Sequence, residues 1–141
     1  MVSDLTRVPV LTLAGAQRIL DGSLARARSL EVAVCVAVSD RSGQLLAFAR
    51  MDGAAQLSVS IAQDKAYTVA AFGGVPTHQW FELIKDDPPL LHGIVKTERL
   101  IVFGGGVPVW SAGQLAGAVG VSGGSAEQDR AIAEAGAGLI R

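Results

Sequence analysis

The chain has 141 residues, half of them hydrophobic, with a formal net charge of −1 and a single cysteine. That length suits one domain spanning residues 1–141 with a sizeable core. The charge balance leaves no basic footprint for nucleic acid, no apolar run approaches the roughly 20 residues of a membrane span, and one thiol excludes an intrachain disulfide. The N-terminal run from Met1 to Arg7 lacks a signal pattern, and with the lone Cys35 in an apolar run it points to a cytoplasmic protein. The surplus of Ala, Val and Gly exceeds what one small core needs, so a homo-oligomer is expected.

In chain order, Thr12 is placed to cap a helix whose apolar positions, from Leu13 through Leu20 and Leu24, run to Ser29. Glu31 to Ser39 is apolar at nearly every position and predicts a central strand buried on both faces. Asp40-Arg41-Ser42-Gly43 forms a hairpin turn, and Gln44 to Arg50 the returning strand. After the turn Met51-Asp52-Gly53-Ala54, a helix is expected from about Ser58 to Phe72, ended by Gly73-Gly74. At 100° per residue, Leu57, Ile61, Asp64, Lys65, Thr68 and Phe72 share one third of its circumference, which puts a lysine on the apolar stripe.

Pro76-Thr77 opens a short helix, His78 to Ile84, with Thr77 as cap and Trp80, Phe81 and Ile84 for burial. Asp86-Asp87-Pro88-Pro89 ends it, Leu90 to Glu98 reads as irregular, and Leu100 to Phe103 as a strand. Eight of the chain's 17 glycines lie between Gly104 and Gly124. They bound two further strands, and glycine within a strand marks a bend or a close approach. Ser125-Ala126-Glu127-Gln128 is a capping box for a closing helix through Ile132 and Leu139. Helix, two strands, two helices, three strands, helix is an α+β order, with five antiparallel strands and flanking helices.

Lys65-Ala66 with Thr68, then Gly104-Gly105-Gly106-Val107-Pro108-Val109, then Gly117 through Gly124 followed by Gln128-Asp129, together resemble the GlcG/HbpS family, which includes the C-terminal domain of PduO-type proteins. The likeness runs from about Thr12 to Leu139. It implies a profilin-like fold and ring-like hexamers or octamers. Some members bind haem, and others sit beside genes of glycolate, diol or cobalamin metabolism. Haem-binding members similar to PduO place an axial histidine on or near the first helix. Here Thr12 to Ser29 has none, which leaves His78 and His92 as the imidazoles. Ser111-Ala112-Gly113 stands where the family usually has an Asp-Gly turn.

Lys65 is the leading candidate for chemistry. On an apolar face it either bonds carbonyls or an acid at a subunit interface, or serves a pocket as anion ligand, acid/base or Schiff-base amine. Asp64 is its candidate partner, and Thr68, one turn on, back-bonds to the helix or touches a ligand. Ser122, Gly123, Gly124 and Ser125 precede a helix, where free N–H groups favour an anion, although the Lys-Ser/Thr ending of a P-loop is missing. Gly105, Gly106 and His92 complete the candidate ligand-binding set. Two histidines without a neighbouring acid or thiol at ligand spacing make no metal site. Three readings follow: a small-molecule binder with a pocket near Lys65 and the glycine hairpin, its ligand a small anionic metabolite; a cofactor-independent enzyme transferring protons through Lys65, with Asp64 or a histidine assisting, on a small carbonyl or carboxylate substrate; and a haem binder or sensor. No cofactor other than haem is suggested.

Overall fold

The computed structural model describes residues 2–140; Met1 and Arg141, the ends of the expected 1–141 domain, lie outside the described residues. The elements are α1 (Leu13–Ser29), β1 (Cys35–Asp40), β2 (Leu45–Arg50), α2 (Leu57–Ala71), a 3-10 turn (Thr77–Gln79), α3 (Trp80–Ile84), α4 (Pro88–Ile94), β3 (Gly106–Ser111), β4 (Gln114–Ser122) and α5 (Ala126–Ala137). The strands form one antiparallel sheet in the order β2-β1-β4-β3.

The sheet therefore has four strands where the sequence predicts five. The missing strand is Leu100–Phe103, which pairs with no neighbour. The amide of Ile101 donates instead to the Thr68 hydroxyl at 3.0 Å, and Arg99 just before it holds a left-handed φ of 67°. A side chain has taken the donor that a ladder would have used. Leu90–Glu98 is also more regular than expected, because Asp87 caps α4 and the prolines occupy its first turn, where a missing N–H costs nothing. The central strand starts at Cys35 rather than Glu31.

The two faces of the sheet differ in side-chain size, and alternation along the strands makes them so. Val36, Val38, Val119 and Val121 face α1 and α5, where they pack with Ile19, Ala27 and Ile132. Burial there is worth about 1.5–3 kcal/mol per large aliphatic side chain, so this face carries most of the hydrophobic stabilisation. The opposite face presents Cys35, Ala37 and Ala118 to Ala62, Ala66, Val69 and Ala70 of α2. Small residues on both sides bring the helix backbone down onto the sheet. At Gly120 an added Cβ would collide with the Ala62 carbonyl oxygen and lie 2.6 Å from the Ala66 amide nitrogen.

The buried residues of α2 are thus Ser58, Ala62, Lys65, Ala66, Thr68, Val69 and Ala70, which keep Lys65 and Thr68 of the stripe the periodicity selects but not its ends; Leu57 is 71% exposed and Phe72 54%. Alanines carry little hydropathy signal, so the larger residues on the neighbouring face dominate the pattern. Thr77 does not cap: its hydroxyl accepts the Gly106 N–H at 2.8 Å and pins the start of β3. Trp80 and Ile84 are buried as expected, whereas Phe81 is exposed. No helix among the described residues is long and apolar enough to cross a membrane.

Candidate functional site

Lys65 is 1% exposed. Its ammonium donates to the Val121 carbonyl at 2.8 Å and to Asp129 Oδ2 at 3.2 Å, and lies 5.1 Å from the centre of the Phe103 ring. The other carboxylate oxygen of Asp129 accepts the Gly124 N–H at 2.9 Å. The lysine thus joins α2, the end of β4 and the first turn of α5. Gly105 makes room for it: its φ is 130°, and a Cβ there would lie 2.5 Å from Lys65 Nζ. Burial lowers the pKa of the Lys65 ammonium from its ordinary value, and the Asp129 carboxylate opposes that shift.

Of the two sequence readings of Lys65, the one in which it bonds a carbonyl and an acid describes this geometry, with the acid supplied by the same chain. Asp129 does not stand out among the candidate residues of the sequence. The available signal is an acid one turn into a helix whose cap is already filled by Ser125. That cap is complete: Ser125 Oγ accepts the Gln128 N–H at 3.1 Å, and Gln128 Oε1 accepts the Ser125 N–H at 3.0 Å. With Gly124 held by Asp129, the expected anion site of Ser122 to Ser125 contains a carboxylate of the chain itself. Ser122 is buried in the ladder opposite Cys35, and Gly106 is bonded to Thr77.

Asp64 turns the other way from its neighbour Lys65. Its Oδ1 accepts Nε–H of Arg99 at 2.8 Å, and the guanidinium carbon of Arg99 sits 4.0 Å from the centre of the Tyr67 ring. The Thr68 hydroxyl lies within bonding distance of the Asp64 carbonyl (2.8 Å) and the Arg99 carbonyl (3.0 Å). Its one proton is shared between these two carbonyls, and the same oxygen accepts the Ile101 N–H, so Thr68 ties the 99–101 segment to its helix. Beside this cluster is an open cleft of about 470 Å³, walled by Ser60, Gln63, Asp64 and Tyr67 of α2, Gln44 of the β1–β2 turn, and Arg99. The strand register slips between Val38 and Ser39 at this cleft, a bulge of the kind that re-aims side chains beside sites. Arg99 and Tyr67, absent from the sequence-derived set, are the residues that give the cleft its charge and its wall.

His92 is exposed on α4. His78, in the 3-10 turn, has a buried Nδ1 with no hydrogen-bond partner in the chain. It lines a groove of about 420 Å³ with Val107, Pro108, Trp110, Arg130 and Ile140. Desolvation lowers the His78 pKa, Arg130 lowers it further, and Glu134 opposes both. As pH falls through the ordinary histidine value of about 6.5, the unfolded chain takes up this proton before the folded one, so stability present above that value declines below it. His78→Gln is expected to flatten the dependence of the thermal midpoint on pH between about 7 and 5; an unchanged slope counts against this assignment. Among the described residues no group of three or more His, Cys, Asp or Glu side chains is placed to hold a metal ion.

One antiparallel sheet between two helices and a third, a lysine buried beneath the glycine-lined strands, and a polar cleft on the same helix define an α+β protein with one sealed and one open charged cluster. Residues 11–138 match the family model described as haem degrading protein HbpS-like, and the chain belongs to that family. It is 38% identical over 130 residues to an uncharacterised 15.0 kDa protein from the dhaT-dhaS intergenic region of Citrobacter freundii, across 91% of this chain and 90% of that one. Among solved structures it is similar to Klebsiella pneumoniae protein ORFY, with a TM-score of 0.88 and 34% identity over 98% of this chain and 95% of that one. It is also similar to PduOC in its haem complex, with a TM-score of 0.84 and 31% identity over 94% of this chain and 96% of that one.

Proposed function

We propose that this chain is an oligomeric small-molecule-binding protein of the HbpS type, and that its ligand, a small anionic metabolite, occupies the cleft between α2 and the β1–β2 turn. The observation that carries the reading is the cleft of about 470 Å³ with the Arg99 guanidinium at its wall. The pocket lies one helical position from Lys65, whose own amine is bonded and enclosed, so Lys65 braces the helix that forms the wall. Assembly is supported by exposed Phe81, Leu83, Phe103 and Trp110 and by α4, none of whose residues is buried within the protomer. A ring of six or eight subunits, as the family resemblance implies, would cover these side chains.

Native mass spectrometry of the purified chain tests both parts. The expected result is a hexamer or octamer carrying extra mass that is released on denaturation. A bare monomer of 14.5 kDa at micromolar concentration overturns the reading.

A haem-binding reading is favoured by His78, whose buried Nδ1 has no hydrogen-bond partner, on the wall of a groove lined by Val107, Pro108, Trp110 and Ile140 together with the paired Arg130 and Glu134. His78 would hold the iron and Val107, Pro108 and Ile140 would shield the ring, while a propionate would have to draw Arg130 away from Glu134, which it holds at 2.7 Å. Bound haem would supply an iron centre able to take a further ligand or an electron. Lowering of the His78 pKa keeps the imidazole neutral, the form that can donate a lone pair. Titration with haemin, followed by absorbance, is expected to give a Soret change that His78→Ala removes; no change in the parent chain closes this reading.

A further inference from the structure

We infer that the cleft beside α2 is a monocarboxylate receptor, in which the edge of the Arg99 guanidinium left open by Asp64 takes the ligand's carboxylate. The inference rests on the small-molecule reading above and names the chemistry of the ligand.

Arg99 is held in an unusual way. Its backbone is left-handed at φ 67°, a strained conformation that a non-glycine residue keeps only where the surroundings over-determine it. Those surroundings are Thr68, whose hydroxyl oxygen accepts the Ile101 N–H and whose proton is shared between the Asp64 and Arg99 carbonyls. The result aims the side chain across the face of Tyr67, at 4.0 Å, toward the cleft. The ring contact limits the tilt of the guanidinium, and the bond from Nε to Asp64 Oδ1 limits its rotation. Among the described residues, neither Nη nitrogen has an acceptor in the chain. The side chain is 41% exposed.

A planar fork of N–H donors, limited in tilt and rotation, matches the two oxygens of a carboxylate and loses little freedom on binding one. Asp64 narrows the choice of anion. One negative charge on the ligand leaves the cluster of Arg99, Asp64 and ligand at −1, whereas a phosphate dianion would add a second charge beside the Asp64 carboxylate. Among the remaining walls, Gln44, Ser60 and Gln63 are uncharged donors and acceptors suited to hydroxyl or carbonyl groups on the rest of the ligand, beside apolar Leu45 and Val59. Asp64 is therefore a positioning residue, and Arg99 the group that touches the ligand.

The test is a nitrogen-15 NMR titration of the full chain with lactate, pyruvate and acetate, set against lactamide and inorganic phosphate. Carboxylates are expected to shift the backbone amides of Gln63, Asp64, Tyr67 and Arg99 and the Arg99 Nε–H, while lactamide leaves them unmoved. Phosphate is expected to bind more weakly at pH 8 than at pH 6, as its second charge appears. Arg99→Lys keeps the charge but loses the fork and is expected to weaken carboxylate binding by about tenfold or more, with thermal melting confirming the fold. Asp64→Asn is expected to raise phosphate affinity relative to carboxylate. Equal shifts by lactamide, or full affinity in Arg99→Lys and Arg99→Gln, overturn the carboxylate assignment and leave a small-molecule cleft standing. Absence of any carboxylate shift also overturns it, and extra mass on the native oligomer then separates that failure from failure of the binding reading.

Discussion

Lys65→Met is expected to destabilise the fold by about 3–5 kcal/mol, the range found when one partner of a buried ion pair is removed. The methionine fills the volume of the lysine stem, so loss of packing is not the cause. What remains is Asp129, 3% exposed, with one oxygen still bonded to Gly124 and the other left without its cation. In a protein of this size the drop corresponds to a fall in thermal midpoint of roughly 10 °C or more. Scanning calorimetry checks it, and the double variant Lys65→Met with Asp129→Asn separates the causes. If the unpaired carboxylate is responsible, neutralising it recovers a large part of the loss, because replacing both charges is far less costly than removing one. A double variant no more stable than Lys65→Met would place the loss elsewhere.

Gly120→Ala is expected to cost as much or more. Overpacking a tight site costs about 1–3 kcal/mol where neighbours can shift. Here the neighbours are backbone, since the new methyl would meet the carbonyl of Ala62 and the amide of Ala66, and neither can rotate aside. The helix must lift from the sheet, and lifting it strains the Lys65 bond to Val121 one residue along β4. We expect a thermal midpoint lowered by about 10 °C or an insoluble chain. Gly113→Ala is the control, because nothing lies within 4 Å of a Cβ there and the cost reduces to its φ of 76°. Equal losses in the two variants would show that conformational strain, not close approach, sets the effect.

Much of this architecture is legible in the sequence because local rules agree with it. Thr12 accepts the Gly15 amide at 3.0 Å, Gly43 takes a φ of 83° in the first hairpin turn, and the Ser125–Gln128 box is made on both sides. Each depends on residues within four positions of one another, so chain order suffices to predict it. The family assignment rests on the same kind of feature, glycines at fixed spacing in β3 and β4, and the match over residues 11–138 agrees with it.

Other features are legible only in part. Sequence periodicity places Lys65 among apolar residues, and the structure buries it, yet the stripe around it is alanine rather than Leu57 and Phe72. The fifth strand is absent because Thr68, more than 30 residues earlier, holds the Ile101 amide. Asp129 and Arg99 lie 64 and 35 residues from the groups they pair with. No local rule assigns such partners, since a lone acid or arginine on a polar stretch reads as solvated.

The sequence by itself determined the α+β class, the caps of the first and last helices, the first hairpin turn, the family and the burial of a lysine. The tertiary structure decided which acid that lysine meets, which helix face meets the sheet, and where the open charge lies. The physical reason is the same in each case. Caps and turns are satisfied within a few residues, whereas a buried charge or a close helix contact is satisfied by whatever the fold brings across from the far end of the chain.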